Sequence, residues 1–174
     1  GFTKPEIVDH FYEKEVFSFD SKTNKWKTKF NPENYKAKNF SEEVIDVKTG
    51  KTVIKLGDKI NYLTAKKLSS DGLKDILISQ ESLYGKFLHR DIKVSDEEDG
   101  VFKIGTEINE TILQTILEAK IITLEISITN SINKGPYLLQ TILNDKNENK
   151  NEAITEIYKV LRPGEPPTIE IATQ

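Results

Sequence analysis

The 174-residue sequence contains no cysteine and no methionine, and only two arginines (Arg90, Arg162) and two histidines (His10, His89). Without cysteine there is neither a disulfide framework nor thiolate chemistry, and a reducing, cytoplasmic setting is the expectation. Neither histidine has a second one at metal-ligand spacing, so a zinc site of the usual kinds is not expected. No apolar run approaches the roughly 18–20 residues of a membrane helix, so a membrane is not an expected partner. Glycine-rich phosphate loops and serine-nucleophile motifs are also missing. A natural full-length product normally begins with methionine, so the sequence is expected to be a piece of something longer.

Charge is scarce in one sense only. The formal net charge is −3, although 30% of residues are charged and 36% hydrophobic. That balance suits a soluble globular chain and argues against a broadly basic phosphate-binding surface. The acidic run "SDEEDG" at 95–100 fails as a calcium loop. With Gly100 in the sixth position, the first and twelfth fall on Ser95 and Thr106 where Asp and Glu are required. An acidic hairpin turn is the better account. Glu97 and Glu98 have nothing nearby to raise a pKa for acid–base work, and a small hydrolase has no constellation to recommend it.

What is there reads as α+β. In "PEIVDHFYEK", Ile7, Val8, Phe11 and Tyr12 fall at helical spacing behind Pro5, which suits a first turn. "VFSFDSKTNKWKTKF" alternates Phe17 and Phe19, then Trp26, Thr28 and Phe30, around turn residues. This predicts a β-hairpin with aromatics on one face and Lys25, Lys27 and Lys29 on the other. From residue 50 the chain repeats itself: 50–92 and 99–142 match Gly57 with Gly105, Ile60 with Ile108, Asn61 with Asn109, Leu73 with Ile121 and Ile78 with Ile126. The shared plan is strand, glycine turn, helix capped by Asn, strand, turn, strand, with Gly72 placed to end the first helix left-handed. Gly85 of "GKFL" aligns with Gly135 of "GPYL". The expectation is a duplicated β-α-β module plus the hairpin, residues 16–143, set between a leading helix at 1–15 and a closing segment at 144–174.

The closing segment begins with the polar loop "NDKNENKNE" and continues as "EAITEIYKVL", with Ile154, Ile157, Tyr158 and Leu161 on one helical face. "RPGEPPT" then stiffens the chain. Pro163 ends the helix at Arg162, Pro163-Gly164 suits a type II turn, and Pro166 and Pro167 hold an extended elbow before Thr168 caps a new helix.

"EIYKVLRPGEPPT" resembles a segment of the bacterial DNA-directed RNA polymerase β subunit, whose "RPGEPPT"-type signature Arg162 to Thr168 match throughout. "NKGPYLLQTI" is similar to that family's "GPY" strand, "TGKTVIKLGDKINYLTAKKL" to its glycine-turn-helix segment, and "GFTKPEIVDHFYEK" to the helix leading into the lobe. The resemblance implies a β-subunit fragment: a helical lobe segment carrying an inserted module and forming one wall of the downstream DNA cleft. It implies nucleotidyl transfer by the whole enzyme, with Mg2+ bound elsewhere and no catalytic residue or cofactor in this piece. Implied partners are the β′, α, ω and σ subunits, downstream DNA and transcription factors. Candidate nucleic-acid contacts are Arg162, Lys25, Lys27 and Lys29 (with Lys22 beside them), and the structural elbow is Pro163, Gly164, Pro166 and Pro167. The same residues alone leave another reading open, a free-standing protein–protein interaction module.

Overall fold

The computed structural model describes residues 1–36, 42–129 and 135–145. In chain order its elements are α1 (Lys4–Phe11), β1 (Lys14–Asp20), β2 (Lys25–Lys29), β3 (Val44–Asp46), β4 (Thr52–Ile54), α2 (Tyr62–Ser70) and β5 (Asp75–Ile78). There follow β6 (Phe87–Leu88), β7 (Ile92–Lys93), β8 (Val101–Phe102), α3 (Glu110–Glu118), β9 (Thr123–Ser127) and α4 (Tyr137–Asn144). Among the described residues, four helices thus accompany a mostly antiparallel seven-stranded sheet and a separate two-stranded one, the expected α+β class. The expected helix at 152–161 and the proline elbow lie outside the described residues.

The chain divides into two compact units. One comprises Gly1–Lys14, Lys86–Glu107 and the described residues from Ile126 onward. Here Thr3 starts α1: its hydroxyl accepts the Glu6 N–H at 3.3 Å and donates to the Glu6 carboxylate at 2.9 Å. This is close to a capping box, with Pro5 in the first turn. The helix buries Ile7 and Val8 beside Phe87, Ile104, Leu138, Leu139 and Ile142. β7 and β8 pair antiparallel, Ile92 with Phe102 and Lys93 with Val101. The acidic run joins them as a hairpin loop, closed by the Val94 N–H donating to the Gly100 carbonyl at 2.8 Å.

In this unit "GPYLLQTIL" departs from expectation. It forms α4 rather than a strand. Leu138, Leu139 and Ile142 are spaced for one helical face and are buried together, whereas Phe87 and Leu88 of the aligned "GKFL" pair as a strand with Ser127 and Ile126. Pro136 offers α4 no side-chain cap. The Tyr12 hydroxyl supplies one from a distance, accepting from the backbone N–H groups of Leu138 and Leu139 while donating to the Gly135 carbonyl at 2.5 Å. Burial pushes this phenol up to about 12, so it stays protonated and able to donate.

The other unit comprises Glu15–Gly85 and Ile108–Glu125. Its strands lie in the order β4-β3-β5-β2-β1, with β9 following on the far side of β1. Along that last side the Phe19 N–H donates to the Ile122 carbonyl at 2.8 Å. The hairpin is as read from the sequence: Ser18 faces Lys27 and Phe19 faces Trp26. Phe17, Trp26 and Phe30 are buried while Lys27 and Lys29 are exposed. The turn is closed by Asn24 in the left-handed region, φ 57°, a conformation asparagine tolerates. Trp26 is fully buried, and truncating such a residue to alanine costs about 3–5 kcal/mol.

The two sequence copies share their local geometry. Gly57 and Gly105 both take positive φ, 86° and 89°, in turns closed by equivalent bonds: Asp58 N–H to the Lys55 carbonyl and Thr106 N–H to the Lys103 carbonyl, each 3.0 Å. Asn61 and Asn109 cap α2 and α3, each side chain accepting a backbone N–H at 2.8 Å from the residue three further on. Both helices end in Schellman motifs. Leu73 N–H reaches the Leu68 carbonyl and Ile121 N–H the Ile116 carbonyl, at 3.1 and 3.2 Å. Gly72 occupies the left-handed position in the first; in the second it is Lys120, at φ 65°.

Two expectations follow for the chain's stability. Gly57→Ala, with open space around it, should cost only the left-handed backbone penalty, about 1–2 kcal/mol. Gly105→Ala should cost roughly 1–3 kcal/mol more, because its Cβ would lie 2.3 Å from the Leu139 carbonyl oxygen. Urea denaturation of the two variants gives the comparison, and equal losses would refute the close-approach account. Tyr12→Phe should lower stability by about 0.5–2 kcal/mol, the range of a lost helix cap. An unchanged denaturation midpoint would show that α4 does not depend on the hydroxyl.

Candidate functional site

The densest polar constellation gathers residues far apart in sequence. His89 is 1% exposed and follows β6 directly. Its Nδ1 lies 2.7 Å from Ser127 Oγ on β9, and its Nε2 lies 2.8 Å from Asp9 Oδ1 on α1. Arg90 completes the group, donating through Nη2 to both Asp9 oxygens at 2.7 and 2.6 Å and through Nη1 to the His89 carbonyl at 2.8 Å. The Arg90 guanidinium, with the His89 hydrogen bond second, holds the Asp9 carboxyl below its ordinary value. An ionised Asp9 can only accept, so the proton on His89 Nε2 points at it.

Serine, histidine and carboxylate stand in the order of a hydrolytic triad, but inside out. A nucleophile must meet a substrate, and here Ser127 is 3% exposed while the carboxylate is half exposed. The arrangement cannot present Oγ to anything. What it does is tie α1 to the residues around β6 and β9.

Next to it lies an open depression of about 480 Å3 lined by Thr3, Lys4, Pro5, Arg90, Asp91, Lys103 and Ile104. Its polar groups are engaged. Lys4 Nζ donates to the Asp145 carbonyl at 3.0 Å, and Asp91 Oδ1 accepts the Ile104 N–H at 2.8 Å. Among the described residues no three His, Cys, Asp or Glu side chains come together to hold a metal ion, and no helix is long and apolar enough to cross a membrane.

The lysines singled out in the sequence lie elsewhere, on the solvent side of β2. They are not equivalent. Lys25 faces Asp20 across the sheet and stands 3.6 Å from Glu43, and Lys29 faces Asp75. Lys27 faces Ser18 and Leu77, with no acid opposite. β2 is an interior strand, bonded to β1 and β5 on its two sides, so these lysines do not guard an edge. Arg162, Pro163, Gly164, Pro166 and Pro167 lie outside the described residues.

Nothing local in the sequence signals the Asp9–His89–Ser127 group. Its members are separated by 80 and 38 positions, and only the fold brings them together. A pH dependence follows. The folded pKa of Asp9 lies below its ordinary value of 3.8, so its contribution to stability is complete above that value and is lost as pH falls through the folded one. Because Asp9 is half exposed, the effect should be at most about 1 kcal/mol. Asp9→Asn should therefore flatten the acid side of the stability profile below about pH 4. Denaturation followed from pH 6 to pH 2 tests this, and parallel profiles for the two chains would contradict it.

No family model matches the chain, but curated relatives do. The DNA-directed RNA polymerase subunit beta of Rickettsia conorii (strain ATCC VR-613 / Malish 7) and that of Rickettsia felis (strain ATCC VR-1525 / URRWXCal2) are each 34% identical to it over 172 residues. That of Rickettsia akari (strain Hartford) is 33% identical over the same length. In each case the match takes in 99% of this chain, which spans only 12% of the relative. Over nearly its whole length this chain is therefore a homologue of one segment of the bacterial RNA polymerase β subunit, the family whose signature Arg162 to Thr168 resembles.

Proposed function

We propose that the chain works as a non-catalytic segment of the β subunit of DNA-directed RNA polymerase, contributing architecture to DNA-templated transcription. The observation that carries this reading is the 172-residue similarity to β subunits at 34% identity. In the assembled enzyme, which transfers nucleotidyl groups from NTPs to the RNA 3′ end, Mg2+ is bound elsewhere and this segment forms part of the lobe lining the downstream DNA cleft. Its partners are the β′, α, ω and σ subunits, the downstream DNA, and transcription factors that dock on residues 16–143. The reading is supported by the polar cluster, whose only serine hydroxyl is buried and whose charges are spent on one another.

Of the lysines, Lys27 is assigned the DNA contact, because Lys25 and Lys29 are each opposed by an aspartate. Arg162, which opens the "RPGEPPT" stretch of the sequence, is the second assigned contact. In reconstituted holoenzyme, deleting residues 41–143 from the intact subunit should leave basal RNA synthesis in place and change the response to a factor. Loss of basal synthesis would contradict the division of labour. Lys27→Glu should reduce the salt slope of DNA binding by about one, and an unchanged slope would remove that contact from the proposal.

A further inference from the structure

The duplicated turn is covered in one copy and bare in the other. In the second copy Ile104 is 3% exposed, packed with Leu138, Leu139 and Ile142, and the backbone of α4 comes so close to Gly105 that no Cβ would fit. In the first copy the matching residue, Leu56, is 78% exposed, and among the described residues a Cβ on Gly57 would meet nothing within 4 Å. The two turns have the same hydrogen bond and the same glycine conformation, so the seat itself is formed in both. Leu63, in the first turn of α2, is 75% exposed; its counterpart in α3 is the polar Thr111. A lone exposed leucine is ordinary. Two leucines at a built seat, where the sister copy has either a buried residue or a polar one, need an occupant.

Charge says which kind. Residues 48–74, which hold the bare turn, carry seven lysines against two aspartates, and the aligned residues 96–122 carry seven acids against two lysines. The chain as a whole is acidic, so this stretch of sequence is locally basic. We propose that Leu56, Gly57 and Leu63 dock a short acidic amphipathic helix of a partner protein, seated on the first copy as α4 is seated on the second. The leucines meet the aliphatic face of that helix, Gly57 admits its backbone, and the surrounding lysines pair with its acidic flanks. This deepens the partner surface proposed above and rests on that reading, but the contact can be measured on the chain itself.

The probe is a fluorescent helical peptide of about 16 residues with the Leu-Leu-x-x-Ile spacing of α4 on one face and glutamate elsewhere, titrated with the 174-residue chain and followed by anisotropy. Saturable binding is expected, weakened about tenfold by Leu56→Glu and further by Leu63→Glu, and weakened by added salt. Both leucines are exposed, so the variants should keep the parent's circular dichroism, and a lysine version of the peptide should not bind. Absence of saturation overturns the proposal, as does unchanged affinity of the double variant or equal binding of the lysine peptide. Sedimentation showing a dimer of the chain that Leu56→Glu dissociates would make a second copy the occupant and would overturn it too. A holoenzyme indifferent to loss of residues 41–143 would count against the proposed function while leaving this binding intact.

Discussion

A glycine held in the left-handed region before a helix is the constraint on which much of this molecule depends. At Gly105 it does two things at once. Positive φ closes the turn that leads toward Asn109 and its cap on α3, and the missing side chain lets the Leu139 carbonyl come nearer than any Cβ allows. Ile104 is thereby delivered into the apolar cluster that α1 and α4 share. The helix seated there is itself capped by a tyrosine from the end of α1 rather than by its own N-cap residue. Turn, seat and cap therefore support one another within that unit.

The bare sister turn separates local from tertiary causes. Gly57 reaches nearly the same φ as Gly105 with no neighbour around it, and Asn61 caps α2 as Asn109 caps α3. The turn and the cap are thus properties of the local sequence, and tertiary cover is an addition to them. The helix ends make the same point with a cost attached. Lys120 takes up the left-handed position that Gly72 fills freely, which for a residue with a Cβ is unfavourable by about 1 kcal/mol. The Schellman bonds and the buried Ile116 beside them offset it.

This division also explains what could be read in advance. The hairpin, the Asn caps, the glycine turns and the acidic loop were legible because each is set by a few adjacent residues. The strand expected at "GPYL" does not form because the two copies diverge beyond β5 and β9. The spacing of Leu138, Leu139 and Ile142 was a helical signal available in the chain, and it outweighed the pairing that makes Phe87 and Leu88 a strand. The Asp9–His89–Arg90–Ser127 group had no such signal, since its members meet only when α1, β6 and β9 are in place. Lys120 gave none either, as lysine is not a residue that marks a left-handed position.

The polar cluster and the two matching turns differ in what they leave exposed. An enzyme's reactive groups are exposed where substrate arrives and held short of full pairing. Here the serine is buried, the histidine has a partner on both nitrogens and the carboxylate is shared with an arginine. Those groups are consumed in fixing three elements. Among the described residues, the features left open to solvent are of another kind: two exposed leucines, in a stretch of sequence rich in lysine whose sister copy is rich in acids. The two turns share one geometry. One is covered by α4, and among the described residues the other stays open, with Leu56 exposed beside it.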